Sequence, residues 1–262
     1  DIGRGDLTAA ALIGRRGCAH WISKADGVFC GGPLLEPLFQ LLDPAASVQL
    51  LVSDGAPVLA GQRLLELEAS AAALVAAERT ALNLAMRLSG IATATAELVA
   101  LLAGSGVQLA DTRKTSPGLR VLEKYAVRCG GGVNHRLGLD DAAMLKENHL
   151  AWAGGVDAAI AAVRAAAPWP ARVIVEAETA AEAQAAVEAG ADGVLLDEFS
   201  PEELRELVPR LRSLSPRPVV LEASGVQPDQ LRAYGATGID LISTSAPVTR
   251  SSWLDLSMRF SG

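Results

Sequence analysis

The apolar and polar positions follow two different patterns along the chain. Over residues 1–70, short apolar runs alternate with Gly, Pro and Asp turns, and residues 54–69 predict two short strands around a Gly-Gln turn. The apolar run 34–42 predicts one helix set against this small sheet. From residue 70 to about 104 the spacing becomes helical, with a break predicted at Ser89-Gly90.

After Gly106, apolar and β-branched runs alternate with helical segments. The runs that predict strands lie at residues 107–111, 172–178, 193–199, 218–224 and 240–246. The predicted helices between them lie at 155–167, 179–190, 201–214 and 228–234, and Ser200 followed by Pro201 marks a helix start. Strands that are apolar on both faces and alternate with helices are typical of parallel β/α units. An open doubly wound sheet and a β/α barrel both fit this alternation.

Acidic residues help to choose between these two folds, because they recur where the predicted strands end. The acids at or near the C-terminal end of a strand are Asp111, Glu176, Asp197 and Glu222. In a barrel these ends meet at one mouth, where catalytic residues collect, whereas in an open sheet they spread along an edge. The pattern therefore favours a barrel.

Composition and charge narrow the range of functions. The chain has 262 residues, enough for one large domain or two modest ones, and its formal charge of -7 argues against non-specific binding of nucleic acid. Charged residues interrupt every long apolar run, so we expect no membrane span. Cys18, Cys30 and Cys129 lack CxxC spacing and fit a reduced, cytoplasmic compartment. The chain begins at Asp1 without a methionine, and we expect a missing N-terminal segment.

Cationic residues concentrate in the stretch from Val107 to Leu150. This stretch holds three of the chain's four lysines and two of its three histidines, namely Lys114, Lys124, Lys146, His135 and His149. Arginine supplies nearly every other positive charge, and a lysine kept against that bias indicates a site that suits a compact ammonium. In an acidic chain, this cluster is the first candidate for an anion-binding site.

Two loops in this stretch carry candidate ligands. Arg113 and Lys114 follow a predicted strand; a guanidinium matches a carboxylate, and an ammonium suits a phosphate. An isolated pair of this kind is usually a charged surface turn. Three consecutive glycines from Gly130 allow close approach of the backbone to a ligand, and His135 and Arg136 add two more cations.

Lys146 ends a short apolar run, and two roles fit it. It could be the Schiff-base nucleophile of a barrel aldolase, or another cation of the anion site. The company of the other cations favours the second role. A third class of protein, a non-catalytic anion-binding module, remains open, although acids at successive strand ends speak against it.

The strand-end acids supply the opposite charge. Glu176, Asp197 and Glu222 can bind sugar hydroxyls, hold Mg²⁺ on a pyrophosphate, act as a base, or simply pair with the cations. Ser224 and Gly225 can offer a hydroxyl and backbone N–H groups to a phosphate. Together these residues predict a ligand with several negative charges, bound at a barrel mouth with help from Mg²⁺.

Several segments form a pattern that is specific in length and order. They are ERTALNLAMRLSGIAT (78–93), DTRKTSPGLRVLEKYAVRCGGGVNHRLGL (111–139), MLKENH (144–149), VEAE (175–178), LLDEF (195–199) and LEASG (221–225). These segments resemble the quinolinate phosphoribosyltransferase family, also called nicotinate-nucleotide pyrophosphorylase (carboxylating). The resemblance extends from DIGRGDLT (1–8) to DLSMRF (255–260), so it covers the whole chain.

The resemblance implies an α/β fold with an N-terminal α/β sandwich domain (1–82) and an incomplete, TIM-like α/β barrel (83–250), with residues 251–262 packing back onto the first domain. It implies a cytoplasmic homodimer, or a higher oligomer, with shared active sites. It also implies the transfer of phosphoribosyl from phosphoribosyl pyrophosphate (PRPP) to quinolinate with loss of CO₂, in NAD biosynthesis. The small-molecule substrates would then be quinolinate and PRPP, with Mg²⁺ as the cofactor.

Carried over by position, the resemblance also implies roles for individual residues. The residues implied to bind the two carboxylates of quinolinate are Arg113, His135, Arg136 and Lys146, with Arg79 reaching in from a second subunit. The residues implied to bind PRPP are Lys114, Glu176, Asp197, Ser224 and Gly225. Of these, Lys114, Glu176 and Asp197 would be catalytic, and Glu176 and Asp197 would hold Mg²⁺ directly or through PRPP and water. Taken alone, Arg79 is more often a solvated surface charge.

Two departures from the family pattern stand near the implied PRPP site. Family members commonly have Asn where this chain has Glu198, and a glycine-bearing loop where it has Ser243–Pro247. The nearest rival function is a related phosphoribosyltransferase that uses nicotinate or is associated with molybdenum transport. Nicotinate lacks the second carboxylate, so it needs fewer cations than this cluster holds.

Overall fold

The computed structural model describes residues 1–261, so Gly262, the last residue of the predicted segment 251–262, lies outside the described residues. The strands are β1 (Arg16–Ser23), β2 (Gly27–Val28), β3 (Ser47–Leu50), β4 (Pro57–Val58), β5 (Arg63–Ser70), β6 (Gln108–Ala110), β7 (Ala143–Leu145), β8 (Val173–Ala177), β9 (Gly193–Asp197), β10 (Val220–Ser224), β11 (Leu241–Ser243) and β12 (Leu256–Ser261). The α-helices are α1 (Gly32–Gln40), α2 (Ala71–Leu101), α3 (Arg120–Cys129), α4 (Glu147–Ala153), α5 (Val156–Ala166), α6 (Ala180–Glu188), α7 (Pro201–Leu214), α8 (Leu231–Gly235) and α9 (Ala246–Thr249). Short 3₁₀ turns lie at Ala9–Leu12 and Pro228–Gln230.

The chain forms two compact units. The first unit contains Asp1–Ala96, Leu122–Gly131 and residues 250–261, and the second contains Glu97–Val121 and Gly132–Thr249. Each unit has a hydrophobic core of its own.

The first unit is built on an antiparallel sheet with the strand order β12-β1-β5-β3. In β5 the buried residues Leu65, Leu67 and Ala69 alternate with the exposed Glu66 and Glu68, so one face of the strand enters the core and the other faces solvent. The predicted strands around the Gly-Gln turn are confirmed as β4 and β5, and the predicted helix at 34–42 is confirmed as α1.

Helix α2 is continuous, so the predicted break at Ser89-Gly90 is wrong. Gly90 is needed for close packing instead: a Cβ at this position would lie 2.1 Å from the backbone oxygen of Ser252. The hydroxyl of Ser89 accepts a hydrogen bond from the N–H of Cys30 at 2.9 Å. Residues that normally interrupt a helix are therefore used here for contacts with neighbouring chain segments.

Helix α2 is also long and apolar enough to cross a membrane by length and composition alone. Leu74, Ala77, Ala81 and Leu82 of this helix are buried in the core of the first unit. We therefore interpret α2 as a core helix.

The second unit is built on a parallel sheet with the strand order β6-β11-β10-β9-β8-β7. Within residues 1–261, β6 and β7 form the two edges of this sheet, so the barrel is not closed. The predicted combination of an N-terminal α/β sandwich and an incomplete α/β barrel is confirmed. Because all six strands run in one direction, their carboxyl ends lie at one edge of the sheet, where loops build active sites in barrel enzymes.

The predicted helices at 155–167, 179–190 and 201–214 are confirmed as α5, α6 and α7. The segment 228–234 is instead a 3₁₀ turn followed by α8. No element was predicted for α3, α4 or β7. In α3 the charged residues Glu123 and Lys124 are buried, and Glu123 accepts a hydrogen bond from Arg87 at 2.8 Å. Charged residues thus occupy buried positions of this helix, where the pattern used to predict helices requires apolar residues.

Candidate active site

The strand-end acids of the second unit stand on one face of the parallel sheet. The register pairs Glu176 of β8 with Leu195 of β9, and Leu195 with Glu222 of β10. Residues in register on neighbouring parallel strands point to the same face, and so do residues two apart on one strand. Asp197 therefore shares this face with Glu176 and Glu222. The barrel arrangement brings together the acids that the sequence pattern places at the strand ends.

Asp197 and Ser224 are direct neighbours at the ends of β9 and β10. They are paired in the sheet register, and the Ser224 hydroxyl donates a hydrogen bond to Oδ1 of Asp197. A predicted phosphate ligand and a predicted catalytic acid are thus joined to each other. Gly225 follows Ser224 in a left-handed conformation with a φ of 74°, which glycine adopts readily.

Glu198, the first departure from the family pattern, is the residue after Asp197. It has a φ of 60° and is the one residue other than glycine with a positive φ among residues 1–261. This region is costly for a residue with an ordinary side chain and is tolerated better by asparagine. The backbone therefore explains why asparagine suits this position.

The second departure, the loop Ser243–Pro247, is bonded largely to its own surroundings. The backbone N–H of Thr244 donates to the oxygen of Ala110 at 3.0 Å, and the N–H of Ala246 donates to the hydroxyl of Thr244 at 3.2 Å. Ser243 is buried. These bonds fix the loop beside the end of β6.

The loop that carries His135 and Arg136 is fastened to the end of β6. Val133 pairs with Ala110 in a parallel bridge, which places the loop alongside the strand. The buried carboxylate of Asp111 accepts hydrogen bonds from the side chain of Asn134 at 2.6 Å and from the backbone N–H of His135 at 2.8 Å. Asp111 is therefore a positioning residue for the cationic loop.

His135 links this loop to the acids of the sheet. Its Nε2 lies 3.2 Å from Oε2 of Glu222, and the two side chains are only 10% and 3% exposed. The backbone N–H of Arg136 donates to Nδ1 of His135 at 2.7 Å, so in the neutral ring the proton resides on Nε2 and is donated to Glu222. The second oxygen of Glu222, Oε1, is buried without a hydrogen-bond partner in the part of the chain that the structure describes.

Arg113 and Arg136 place two guanidinium groups near each other. Burial, and then the positive charge of Arg113, lowers the pKa of Arg136. Arg136 also donates from Nη1 to the backbone oxygen of Ala142 at 2.8 Å. Two cations held together in this way repel each other until an anion lies between them, which favours a carboxylate ligand.

Arg120 joins the two cationic loops, although the sequence pattern assigned it no role. Its guanidinium donates to the backbone oxygen of Arg113 at 3.2 Å and to that of Leu137 at 3.3 Å, and its Nε donates to the hydroxyl of Thr115 at 3.1 Å. One side chain thus positions both loops. The only feature of the sequence that points to Arg120 is its position within the segment 111–139, which resembles the family.

Lys146 and Glu176 form an ion pair, with Nζ 2.5 Å from Oε2. The lysine side chain is 47% exposed and the glutamate 16% exposed. Lys146 follows β7 directly, and its backbone N–H donates to Nδ1 of His149 at the start of α4. A lysine engaged in this way acts as a cation, so the arrangement speaks against a free nucleophilic amine.

Lys114 is exposed on the loop after β6, and its backbone N–H donates to the hydroxyl of Thr112 at 3.0 Å. Arg79 is exposed on α2 and belongs to the first unit, whereas every other predicted site residue belongs to the second. The second unit therefore contains the whole predicted set except Arg79.

The acidic side of the site also includes Glu178, which the sequence pattern did not single out. Its pKa is raised, mainly by the negative charge of Glu147 and then by burial, with smaller contributions from Glu182, Asp197 and Glu176. This excess of carboxylates fits a divalent cation, because oxygen ligands of this kind are those that Mg²⁺ prefers.

Comparison with known proteins finds similar sequences along nearly the whole chain. Residues 6–89 match the N-terminal domain of the quinolinate phosphoribosyl transferase family, and residues 91–259 match its C-terminal domain. The chain is 44% identical to a Synechocystis protein named "Probable nicotinate-nucleotide pyrophosphorylase [carboxylating]", over 99% of this chain and 88% of that protein. It is 38% identical to the human nicotinate-nucleotide pyrophosphorylase (carboxylating), over 97% of this chain and 86% of the human protein.

A solved structure gives the same result for the fold. The nicotinate-nucleotide pyrophosphorylase of Francisella tularensis superposes with a TM-score of 0.94 at 37% sequence identity, and the match covers all of this chain and 92% of that one.

Proposed function

The chain belongs to the quinolinate phosphoribosyltransferase family, and on that premise we propose that it makes nicotinate mononucleotide, pyrophosphate and CO₂ from quinolinate and PRPP. This reaction is a step of NAD biosynthesis. The observation that carries the proposal is the match to both family domains along the whole chain. The geometry adds a cationic loop cluster and a row of acids at one edge of the sheet, which suit two polyanionic substrates.

Quinolinate is a dicarboxylate, and the cationic loops suit it. Arg113 and Arg136 would bind one carboxylate between them, which relieves the repulsion that, after burial, lowers the pKa of Arg136. His135 and Lys146 would bind the second carboxylate, and the partner subunit's Arg79 would complete the site. On this proposal the protein is a homodimer, or a higher oligomer, with shared active sites.

PRPP carries a 5′-phosphate and a pyrophosphate, and the strand ends from β8 to β10 suit it. Ser224 and Gly225 would bind the 5′-phosphate, with the hydroxyl that now donates to Asp197 turning to the phosphate. Lys114 would bind the pyrophosphate. Glu176 and Asp197 would orient the ribose hydroxyls and hold Mg²⁺, directly or through PRPP and water.

The acids Glu176, Glu178 and Asp197 fit Mg²⁺, because their mutual repulsion is relieved by a divalent cation. When bound, Mg²⁺ would neutralise charge on the pyrophosphate leaving group. This chain's own Lys114 would add a second positive charge to the same group.

The reaction has two chemical stages. The pyridine nitrogen of quinolinate attacks the anomeric carbon of PRPP while the bond to pyrophosphate breaks, and positive charge develops on the ribose ring. Glu176 or Asp197 would stabilise that charge. The carboxylate next to the cationic nitrogen then leaves as CO₂, its electron pair remains on the ring carbon, and that carbon takes up a proton. The cationic loops would act chiefly by orienting the ring.

We place this reaction in the cytoplasm, where the three cysteines would be kept reduced. Within residues 1–261, Cys18, Cys30 and Cys129 are free thiols, which agrees with that placement.

A direct experiment is to incubate the purified protein with quinolinate, PRPP and Mg²⁺ and to measure released CO₂ and nicotinate mononucleotide. We expect equal amounts of both products, and no turnover after chelation of Mg²⁺. A parallel reaction with nicotinate separates the related phosphoribosyltransferases. Turnover of nicotinate without turnover of quinolinate would overturn the proposal.

A further inference from the structure

Two cysteines that are far apart in sequence lie next to each other in the first unit, and neither is assigned a role in the reaction. The thiol sulfurs of Cys30 and Cys129 and a carboxylate oxygen of Asp54 all lie within 4.8 Å of one another. Cys30 is completely buried, whereas Cys129 is partly exposed. A reagent from solvent can therefore reach Cys129, while Cys30 lies beside it and is shielded from solvent.

The backbone on both sides of this pair is held in place. The hydroxyl of Ser89 accepts from the N–H of Cys30 at 2.9 Å and donates to its carbonyl oxygen at 3.1 Å. On the other side, Gly55 packs against the backbone of Cys129, and a Cβ on Gly55 would lie 3.1 Å from the Cys129 oxygen. The two thiols are thus kept together by the fold and do not meet by chance on mobile loops.

Asp54 and Tyr125 complete the cluster. The carboxylate of Asp54 accepts from the N–H of Gly31 and from the N–H of Gly32, each at 2.9 Å. It also accepts from the hydroxyl of Tyr125 at 2.9 Å. Because this carboxylate already accepts three hydrogen bonds, it is a poor candidate for a metal ligand, although it lies close enough to Cys30 to accept a hydrogen bond from its thiol.

We propose that Cys30 and Cys129 form a reversible dithiol–disulfide site, in which Cys129 reacts first with a peroxide and Cys30 then resolves it. The Cys129 thiolate attacks one peroxide oxygen, the O–O bond breaks, and Cys129 becomes a sulfenic acid while hydroxide leaves. The Cys30 sulfur then forms a bond to the Cys129 sulfur, the S–O bond breaks, and the thiol proton leaves in water. Two electrons pass from the sulfurs to the peroxide.

The electrostatics agree with this division of roles. The hydrogen bond from the Cys30 thiol is the largest cause that lowers the pKa of Cys129 to about 7; Tyr125 and Arg128 lower it further, while burial and Asp54 oppose the shift. The hydrogen bond to Cys129 and burial raise the pKa of Cys30. Near neutral pH a substantial share of Cys129 is therefore thiolate, the reactive form, while Cys30 keeps its proton until it resolves the sulfenic acid.

The experiment treats the purified full chain with hydrogen peroxide under native conditions and follows intact mass and free thiols. We expect two of the three thiols to disappear, a mass lower by two hydrogen atoms, and a cross-linked peptide joining residues 30 and 129. Dithiothreitol should restore all three thiols. A wild-type chain that loses no thiols, or that loses Cys18 first, would overturn the proposal.

Three variants assign the roles. Cys18→Ser is the matched control and should still form the cross-link. Cys30→Ser should form no cross-link and should accumulate a sulfenic acid at Cys129 that dimedone captures, whereas Cys129→Ser should do neither. In a Cys18→Ser background, the alkylation rate should rise with a midpoint near pH 7, and the added Cys30→Ala change, which removes the thiol donor, should move that midpoint upward.

A metal site is the competing interpretation of the same residues, and the wild-type chain can distinguish it. If the protein binds one Zn²⁺ with loss of both reactive thiols, and peroxide forms no cross-link in the metal-free chain, the disulfide proposal is wrong. Each readout is independent of quinolinate turnover, so failure of this proposal and failure of the proposed function are separate results.

Discussion

The candidate site has two sides that are held in place by different means. The acids stand on β8, β9 and β10, where the ladder of backbone hydrogen bonds sets their spacing. Most of the cations stand on loops, and their positions depend on individual side chains, above all Asp111 and Arg120. A sheet thus positions residues for chemistry with little additional support, whereas a loop needs specific bonds for each ligand it presents.

This difference predicts that an acid of the sheet contributes most to the chemical step. We expect Asp197→Asn to lower kcat/KM about 100-fold, chiefly through kcat, because the change removes a charge that stabilises the transition state while keeping the shape of the side chain. Release of CO₂ from quinolinate measures the effect. Glu206→Gln, on the exposed part of α7, is the control and should leave the rate unchanged. A normal rate for Asp197→Asn would show that the acids of the sheet do not contribute to the chemical step.

The cationic side should act through substrate binding, and two adjacent residues provide a matched pair. We expect Arg113→Ala to raise the KM for quinolinate about tenfold or more, because a charge-assisted hydrogen bond is worth roughly 1.5–3 kcal/mol. Lys114→Ala should instead raise the KM for PRPP. Steady-state kinetics with each substrate varied in turn separates the two effects. The opposite pattern would mean that the two ligand assignments are exchanged.

The bond between the two sides, from His135 to Glu222, should matter for stability more than the exposed pair Lys146–Glu176. We expect Glu222→Gln to lower the free energy of unfolding by about 1–3 kcal/mol, because it disturbs a buried charge-assisted bond. Glu176→Gln should cost less than about 1 kcal/mol, since its lysine partner is half exposed. Urea unfolding measures both values. Equal losses would show that burial does not distinguish the two pairs.

A small gain in stability is expected from a change to the backbone just after β9. Glu198→Asn should raise the free energy of unfolding by about 1 kcal/mol, because asparagine tolerates the positive φ at this position. Glu198→Ala removes the same charge but keeps a Cβ without a polar group, and it should give no comparable gain. If both variants stabilise the protein equally, charge and not backbone strain is the cause.

The contrast between strands and loops also explains what could be predicted from the sequence. Apolar runs followed by an acid predict strand ends directly, so Glu176, Asp197 and Glu222 could be assigned to one edge of a barrel. The bonds of Arg120 could not be predicted, because they join main-chain atoms of residues 113 and 137 that meet only after the loops fold. Strand β7 was not predicted, although β6 and β11 are equally short and lie within predicted strand segments.

Helix α3 and the Cys30–Cys129 pair were missed for a related reason. Both depend on contacts between segments far apart in sequence, such as Arg87 with Glu123 and Cys30 with Cys129. A count of cysteines and a search for CxxC spacing test only local pairs. A buried charge or thiol can be predicted from the sequence only when its partner in space is known.

The place of β12 in the first sheet has a consequence for synthesis on the ribosome. Strand β1 pairs with β5 on one side and with β12 on the other, and β12 is made after every other strand. During translation the N-terminal sheet therefore has one unpaired edge along β1 until β12 leaves the exit tunnel. An open edge of this kind is a template for wrong pairing between chains. The nascent protein thus has most need of a chaperone at β1, until β12 has been made and pairs with it.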